Sequence, residues 1–175
     1  PGRPALWRAE DSETAFLTDA FLAWLQRRPE EPWFAHLSWI KPHPPWIAAA
    51  PWHGWVDRAR VPAPIRDRGL AHPWLEAHRS FGYGGWLGRH VGQPGRLDPA
   101  RLREARAVYF GLICEVDHHV GRILATLARL ELLERTLVVV TGDHGEMLGD
   151  HGLLGKSGFF PQAFRVPLII RDPRF

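Results

Sequence analysis

Cysteine is nearly missing from this chain. Cys114 stands alone among 175 residues, which excludes an intrachain disulfide. Long apolar runs are missing too: none approaches the roughly 20 residues needed to cross a bilayer, so no membrane span is expected. The opening "PGRPALWRAEDSE" has no charged n-region, apolar core or cleavage site, so no signal peptide is visible. It also lacks an initiator Met and reads as a cut rather than a natural end. One Cys and no visible signal lean toward the cytoplasm. A large excess of one charge sign is absent as well. The formal charge is +3 with ten His uncounted, and the Arg residues are scattered. That gives no basic face for nucleic acid, and none is expected as a partner. A mildly basic surface suits a small anionic substrate, and a homo-oligomer is compatible with the composition.

What is present is a composition able to form a core, with 45% hydrophobic and 23% charged residues, and an excess of tryptophan. Seven of the nine Trp residues lie between Trp33 and Trp86. "DSETAFLTDAFLAWLQRRPEEP" predicts a helix. Asp11 or Ser12 can cap it, Phe16, Leu17, Ala20, Phe21, Trp24 and Leu25 recur at helical spacing, Arg27 and Arg28 suit its C-terminal dipole, and Pro29 stops it. "PWFAHLSWI" (32–40) reads as a buried strand. The prolines of "KPHPPWIAAAPWHGW" then forbid helix or central strand. Residues 56–98 carry no sustained period and read as an irregular lid or binding loop. "DPARLREARAVYFGLICEVDHHVGRILATLARLELLE" is the clearest helix, with Asp98 as cap and Pro99 at its first position. "RTLVVVTGDHG" and "RVPLIIRDP" (165–173) read as apolar strands. This order predicts an α/β fold with a mostly parallel sheet flanked by helices.

In such sheets ligands bind beyond the C-terminal strand ends. "TLVVVTGDHG" brings Asp143 and His144 to that edge, and a carboxylate beside an imidazole can hold a divalent cation. The tetrapeptide Gly-Asp-His-Gly recurs seven residues later, but Asp150 and His151 follow "EML" rather than an apolar strand. Asp150 is expected to form a turn and His151 to pack within the loop. Lys156, among glycines, offers a point charge for an anion. His43 is held among prolines, where a preorganised imidazole can serve in acid/base or anion contact. Cys114 lies inside the long helix and reads as a structural thiol. His118 and His119 beside Asp117 read as a solvated or interface face of that helix.

"TGDHGEMLGDHGLLGKSGFFPQAFRVPLIIRDP" resembles the later metal-site segment of the sulfatases and phosphonate monoester hydrolases, in the alkaline-phosphatase-like superfamily. "FAHLSWIKPHPPW" resembles their His-bearing loop. "EDSETAFLTDAFLAWL" and "YFGLICEVDHHVGRIL" resemble the helices that flank these motifs. The resemblance implies that residues 1–175 are part of one sulfatase-type catalytic domain, incomplete in this chain. A Trp/Pro/Gly-rich substrate-facing insertion would lie around 41–98. It implies metal-dependent hydrolysis of sulfate esters or of phosphonate or phosphate mono- or diesters. The alternative is a catalytically inactive fragment or homologue that binds an anion or a partner. Residue by residue, Asp143 and His144 match ligands of one divalent metal, with Ca or Mn favoured. Lys156 matches the lysine that contacts the transferred group and leaving oxygen. His43 matches the histidine that contacts that group or protonates the leaving oxygen, and Lys41 is an anion-contact candidate. The family's Cys/Ser-x-Pro-x-Arg motif, source of a formylglycine nucleophile, does not occur in this sequence, so the nucleophile is expected outside this chain.

Overall fold

The computed structural model describes residues 2–27, 29–66, 72–81, 92–93, 96–156 and 158–175. Trp86 and Arg28, singled out from the sequence, lie outside them. Residue contacts divide the chain into two compact units. One is chiefly Asp57–Ala107 with Val139–Ile169; the other is Arg3–Val56 with Val108–Val138 and Ile170–Phe175.

Helix α1 spans Glu13–Gln26, and the capping choice falls on Ser12, whose hydroxyl accepts from the Ala15 N–H at 3.1 Å. Two Arg8 side-chain nitrogens engage Asp11 instead. The buried face of α1 carries Leu22 and Leu25. They join Leu127, Leu130 and Leu132 in one apolar cluster, with Phe21, Trp24 and Trp33 packed against it. Residues 32–40 form no strand. The segment pairs with no strand among the described residues. Trp33, Ala35, Leu37 and Trp39 are half-buried, and Phe34, His36, Ser38 and Ile40 are exposed. That is the period of two of a strand covered on one face, not a strand buried on both.

Order within 56–98 exceeds the expectation of an irregular loop. Helix α2 spans Pro73–Phe81, with Pro at its first position and His72 Nδ1 accepting from the Trp74 N–H at 3.2 Å. Its Leu75 is fully buried with Met147, Leu153 and Ala163. Nine residues are too few for a period to stand out among Gly, Pro and His. A two-residue antiparallel pair follows, β1 (Gly92–Gln93) with β2 (Arg96–Leu97). Helix α3, Pro99–Arg129, begins as expected: Asp98 Oδ1 accepts from Ala100 N–H at 2.8 Å and Arg101 N–H at 3.1 Å.

Strand β3 is Val138–Thr141 and β4 is Leu168–Arg171, and the two are neighbours in one sheet; between them lies the short helix α4, Pro161–Phe164. Val138 and Val140 are half-buried while Val139 is exposed, and β4 exposes Leu168, Ile169 and Ile170. The apolar run of β3 reads as a buried strand and that of β4 as an apolar one; within the described residues each is covered on one side at most. No helix is long and apolar enough to cross a membrane among the described residues.

Candidate active site

The loop leaving β3 is built by one close approach. A Cβ at Gly145 would lie 1.9 Å from the carbonyl oxygen of Gln162, so only glycine lets the loop touch the α4 segment. The Gly145 N–H then donates to the Ala163 carbonyl at 2.8 Å. That contact fixes the chain directly after Asp143 and His144.

The two side chains are set by local hydrogen bonds. The His144 N–H donates to Asp143 Oδ1 at 3.0 Å. His144 Nδ1 lies 2.8 Å from the Gly145 carbonyl; a carbonyl only accepts, so Nδ1 carries the proton. In the neutral ring the lone pair is therefore on Nε2, 3.6 Å from Asp143 Oδ2. Lys156, twelve residues on, brings its Nζ to 2.5 Å from the same Nε2. The Asp143 side chain is 89% exposed. Desolvation pushes its carboxyl upward. Its own backbone N–H, the His144 charge and N–H, and the Lys156 charge outweigh that and hold it below the usual carboxylate range. Carboxylate oxygen, imidazole lone pair and ammonium thus converge at the end of β3.

This donor set fits one half of a divalent cation site: an exposed carboxylate oxygen and an imidazole nitrogen whose other nitrogen is tied to a backbone carbonyl. Among the described residues no group of three or more His, Cys, Asp or Glu side chains is placed to hold a metal. Any further ligands would come from elsewhere.

The second Gly-Asp-His-Gly does different work. Asp150 is 7% exposed and is a junction. Its Oδ1 accepts from the Ile65 N–H at 3.0 Å and pairs with Arg106 Nη1 at 3.2 Å; its Oδ2 accepts from Gln162 Nε2 at 3.1 Å. Arg106, from α3, also donates to the Leu148 carbonyl at 2.6 Å. The backbone between is tightly coiled, with positive φ at Leu148, Gly149 and His151. The His151 ring stacks on Phe160 at 4.3 Å, and its carbonyl accepts from Arg79 Nε and Nη2. The loop-packing expectation for His151 and the turn expectation for Asp150 describe this segment, but the buried Arg106 partner was missed. Four steps after Leu102 on the long-helix stripe, an Arg at position 106 on the buried side was the available signal.

Glu146 was missed as well. Its Oε1 accepts from the Leu148 N–H at 3.2 Å and from the Gly155 N–H at 2.5 Å. Nothing about a Glu in a glycine-rich loop marks it in the sequence.

Lys41 and His43 lie in the other unit. Lys41 Nζ is 3.1 and 3.5 Å from the two carboxylate oxygens of Glu115, whose side chain is fully buried on α3. The ammonium expected to meet an anion is thus engaged by a carboxylate. His43 is exposed, and its Nδ1 donates to the Pro44 carbonyl at 2.7 Å. Cys114 is half-buried on α3; desolvation, then the nearby Asp117, raises its thiol, which suits a structural role and not a nucleophile. His119 is buried rather than on a solvated face, accepting at Nδ1 from Arg122 at 3.2 Å, while His118 is exposed against Trp52.

Known proteins share this arrangement of sequence and fold. The family model described as Sulfatase matches residues 2–174. The multifunctional alkaline phosphatase superfamily protein PehA of Trinickia caryophylli is 38% identical over 97% of this chain and 34% of its own length. The choline-sulfatase of Rhizobium meliloti is 31% identical over 93% of this chain and 32% of its own. The phosphonate monoester hydrolase SpPMH of Silicibacter pomeroyi superposes with a TM-score of 0.84 at 43% identity, covering 97% of this chain and 34% of that one. The chain spans about a third of the length of these relatives. With an alkaline-phosphatase-like fold and a family match over nearly its whole length, the chain belongs to the sulfatase family.

Proposed function

We propose that the protein hydrolyses a small anionic ester, with phosphonate monoesters favoured over sulfate esters, and that this chain carries one part of the active site. The observation that carries the reading is the convergence of Asp143, His144 and Lys156 at the end of β3. The similarity to SpPMH at 43% identity supports phosphonate over sulfate; the similarity to the choline-sulfatase, at 31%, keeps sulfate esters as a second substrate class.

Asp143 Oδ2 and His144 Nε2 would hold one divalent cation, Ca or Mn, together with ligands from outside the described residues. When bound, such a cation supplies positive charge opposite the oxygens of the transferred group. The chain's own residues do the rest. Gly145 fixes the turn, and the Gly145 carbonyl holds the His144 proton on Nδ1 and so keeps the lone pair on Nε2. Lys156 presents an ammonium to the anionic oxygens, where charge builds up as the bond to the leaving group stretches. His43 is assigned the leaving-group proton on the resemblance alone. Its Nδ1 already donates to Pro44, so Nε2 would be the atom that delivers it. The nucleophile, formylglycine by the same resemblance, would lie outside these 175 residues.

The test is a paired assay of the full-length protein on an aryl phosphonate monoester and an aryl sulfate, with metal content measured on the same preparation. A higher kcat/KM on the phosphonate, and loss of bound metal in Asp143→Asn and His144→Ala, are expected. Metal retained in full by both variants would remove the site reading. A higher kcat/KM on the sulfate would reverse the substrate order.

A further inference from the structure

Lys156 reaches His144 across twelve residues of loop, in a stretch where Gly155 and Gly158 both have positive φ. A long, exposed lysine on such a backbone has many conformations to lose before it can hold an anion. Something must fix the residue from which it springs. The residue before it, Gly155, is fastened through both backbone groups. Its N–H donates to Glu146 Oε1 at 2.5 Å, and its carbonyl accepts from the Met147 N–H at 2.8 Å. Both partners directly follow the His144–Gly145 turn. The covalent route from His144 to Lys156 is twelve residues long, whereas the route through Glu146 is His144, Gly145, Glu146, then Gly155 and Lys156. The same Glu146 Oε1 takes the Leu148 N–H at 3.2 Å, closing the inner turn of the loop.

We infer that Glu146 is a positioning residue that sets the spacing between the metal-ligand end of the loop and Lys156 by accepting the Gly155 N–H. It touches neither substrate nor reacting atoms and acts through Lys156, so the inference rests on the functional reading given above for Lys156. What Glu146 supplies is a carboxyl oxygen at a fixed point, and a neutral amide oxygen in the same place serves the same purpose. A hydrogen bond of this kind matters to rate because a small misplacement of a catalytic group is felt in the transition state more than in substrate binding.

The experiment is steady-state kinetics on the full-length protein with an aryl phosphonate monoester, comparing Glu146→Ala, Glu146→Met, Glu146→Gln, Lys156→Ala and the double variant Glu146→Ala/Lys156→Ala. Thermal midpoints are read in parallel. Glu146→Met preserves volume without an acceptor and stands in should the alanine variant fail to fold. Losing the tether is expected to lower kcat about tenfold or more with KM changed less than about threefold, while Glu146→Gln keeps most of the activity. In the Lys156→Ala background the Glu146→Ala change is expected to add little, because the residue it positions is already gone. The inference is overturned if Glu146→Ala and Glu146→Met turn over like the parent while Lys156→Ala is impaired. It is equally overturned if Glu146→Gln is as damaging as Glu146→Ala, or if the two losses multiply in full in the double variant. Unimpaired turnover by Lys156→Ala would overturn the functional reading itself, and the inference with it.

Discussion

Replacing Asp150 is the most direct probe of how the loop after β3 is held. The Arg106–Asp150 pair is closed at 3.2 Å with side chains only 8% and 10% exposed. Removing one partner of such a buried pair leaves an uncompensated charge and costs about 3–5 kcal/mol. Asp150→Ala does this, and also strands the Ile65 N–H and Gln162 Nε2. Asp150→Asn is milder for a specific reason. Its Oδ1 still accepts from Ile65 and Arg106, and its amide can face Gln162, whose Oε1 is buried without a partner. The carboxylate charge is lost as in the alanine variant, and Arg106 is left uncompensated, but the Oδ1 acceptor is kept, with neutral hydrogen bonds worth about 0.5–1.5 kcal/mol each. Asn is therefore expected to cost about 1–2 kcal/mol less than Ala, the worth of the hydrogen bonds it keeps. Denaturant unfolding of the full-length protein, with the slope checked for constancy, measures both. The reasoning is refuted if Asn costs as much as Ala, or if Ala costs less than about 1 kcal/mol.

Gly145→Ala should collapse the site: its Cβ meets the Gln162 carbonyl at 1.9 Å, so bound metal and turnover should both fall sharply, as metal analysis beside an activity assay would register. Ser12→Ala removes the cap of α1 and should cost about 1 kcal/mol in a denaturation midpoint with activity retained. His119 gives a pH signature. Burial, then Arg122 and His118, lower its pKa against the opposing pull of Glu115 and Asp19, so the unfolded chain takes up the proton before the folded one does. The stability it contributes is present above about pH 6.5 and is lost as pH falls toward the folded value; His119→Gln, which keeps an acceptor for Arg122 but cannot titrate, should flatten that fall in thermal midpoints taken between neutral and mildly acid pH.

The helices were legible because their signals are local. Ser12 and Asp98 cap, Pro99 opens α3, and the apolar stripes run long enough to show a period. The strands were legible as apolar runs but not as to which faces are covered. Alternation is the reason: "PWFAHLSWI" reads as continuously apolar, yet only Trp33, Ala35, Leu37 and Trp39 turn inward, and no neighbouring strand among the described residues takes its backbone hydrogen bonds. Cover is a tertiary fact that a run of hydrophobic letters does not encode. Helix α2 escaped because nine residues give no period to count, and its burial rests on Leu75 meeting Met147 and Leu153 far along the chain.

The candidate site was legible where chemistry is carried by residue type, and illegible where it is carried by partners. Asp143, His144 and Lys156 stand out as ligand and anion-binding types beside an apolar strand, and they do converge. Lys41 stands out by the same logic, but its charge is met by a fully buried Glu115 seventy-four residues away, a pairing that no local pattern announces. The doubled Gly-Asp-His-Gly makes the distinction within twelve residues. In the first copy the carboxylate is 89% exposed, and its neighbour's imidazole is oriented by the next carbonyl with Nε2 against the Lys156 ammonium. In the second Asp150 is 7% exposed, its carboxylate oxygens bond Ile65, Arg106 and Gln162, and the imidazole stacks on an aromatic ring. An identical tetrapeptide therefore presents an exposed carboxylate beside an imidazole where the strand delivers it to an open edge, and a buried clamp where a helix offers an arginine. The clamp and the Glu146 latch together hold the loop that the open pair and Lys156 share, so the second copy serves the first through the backbone between them.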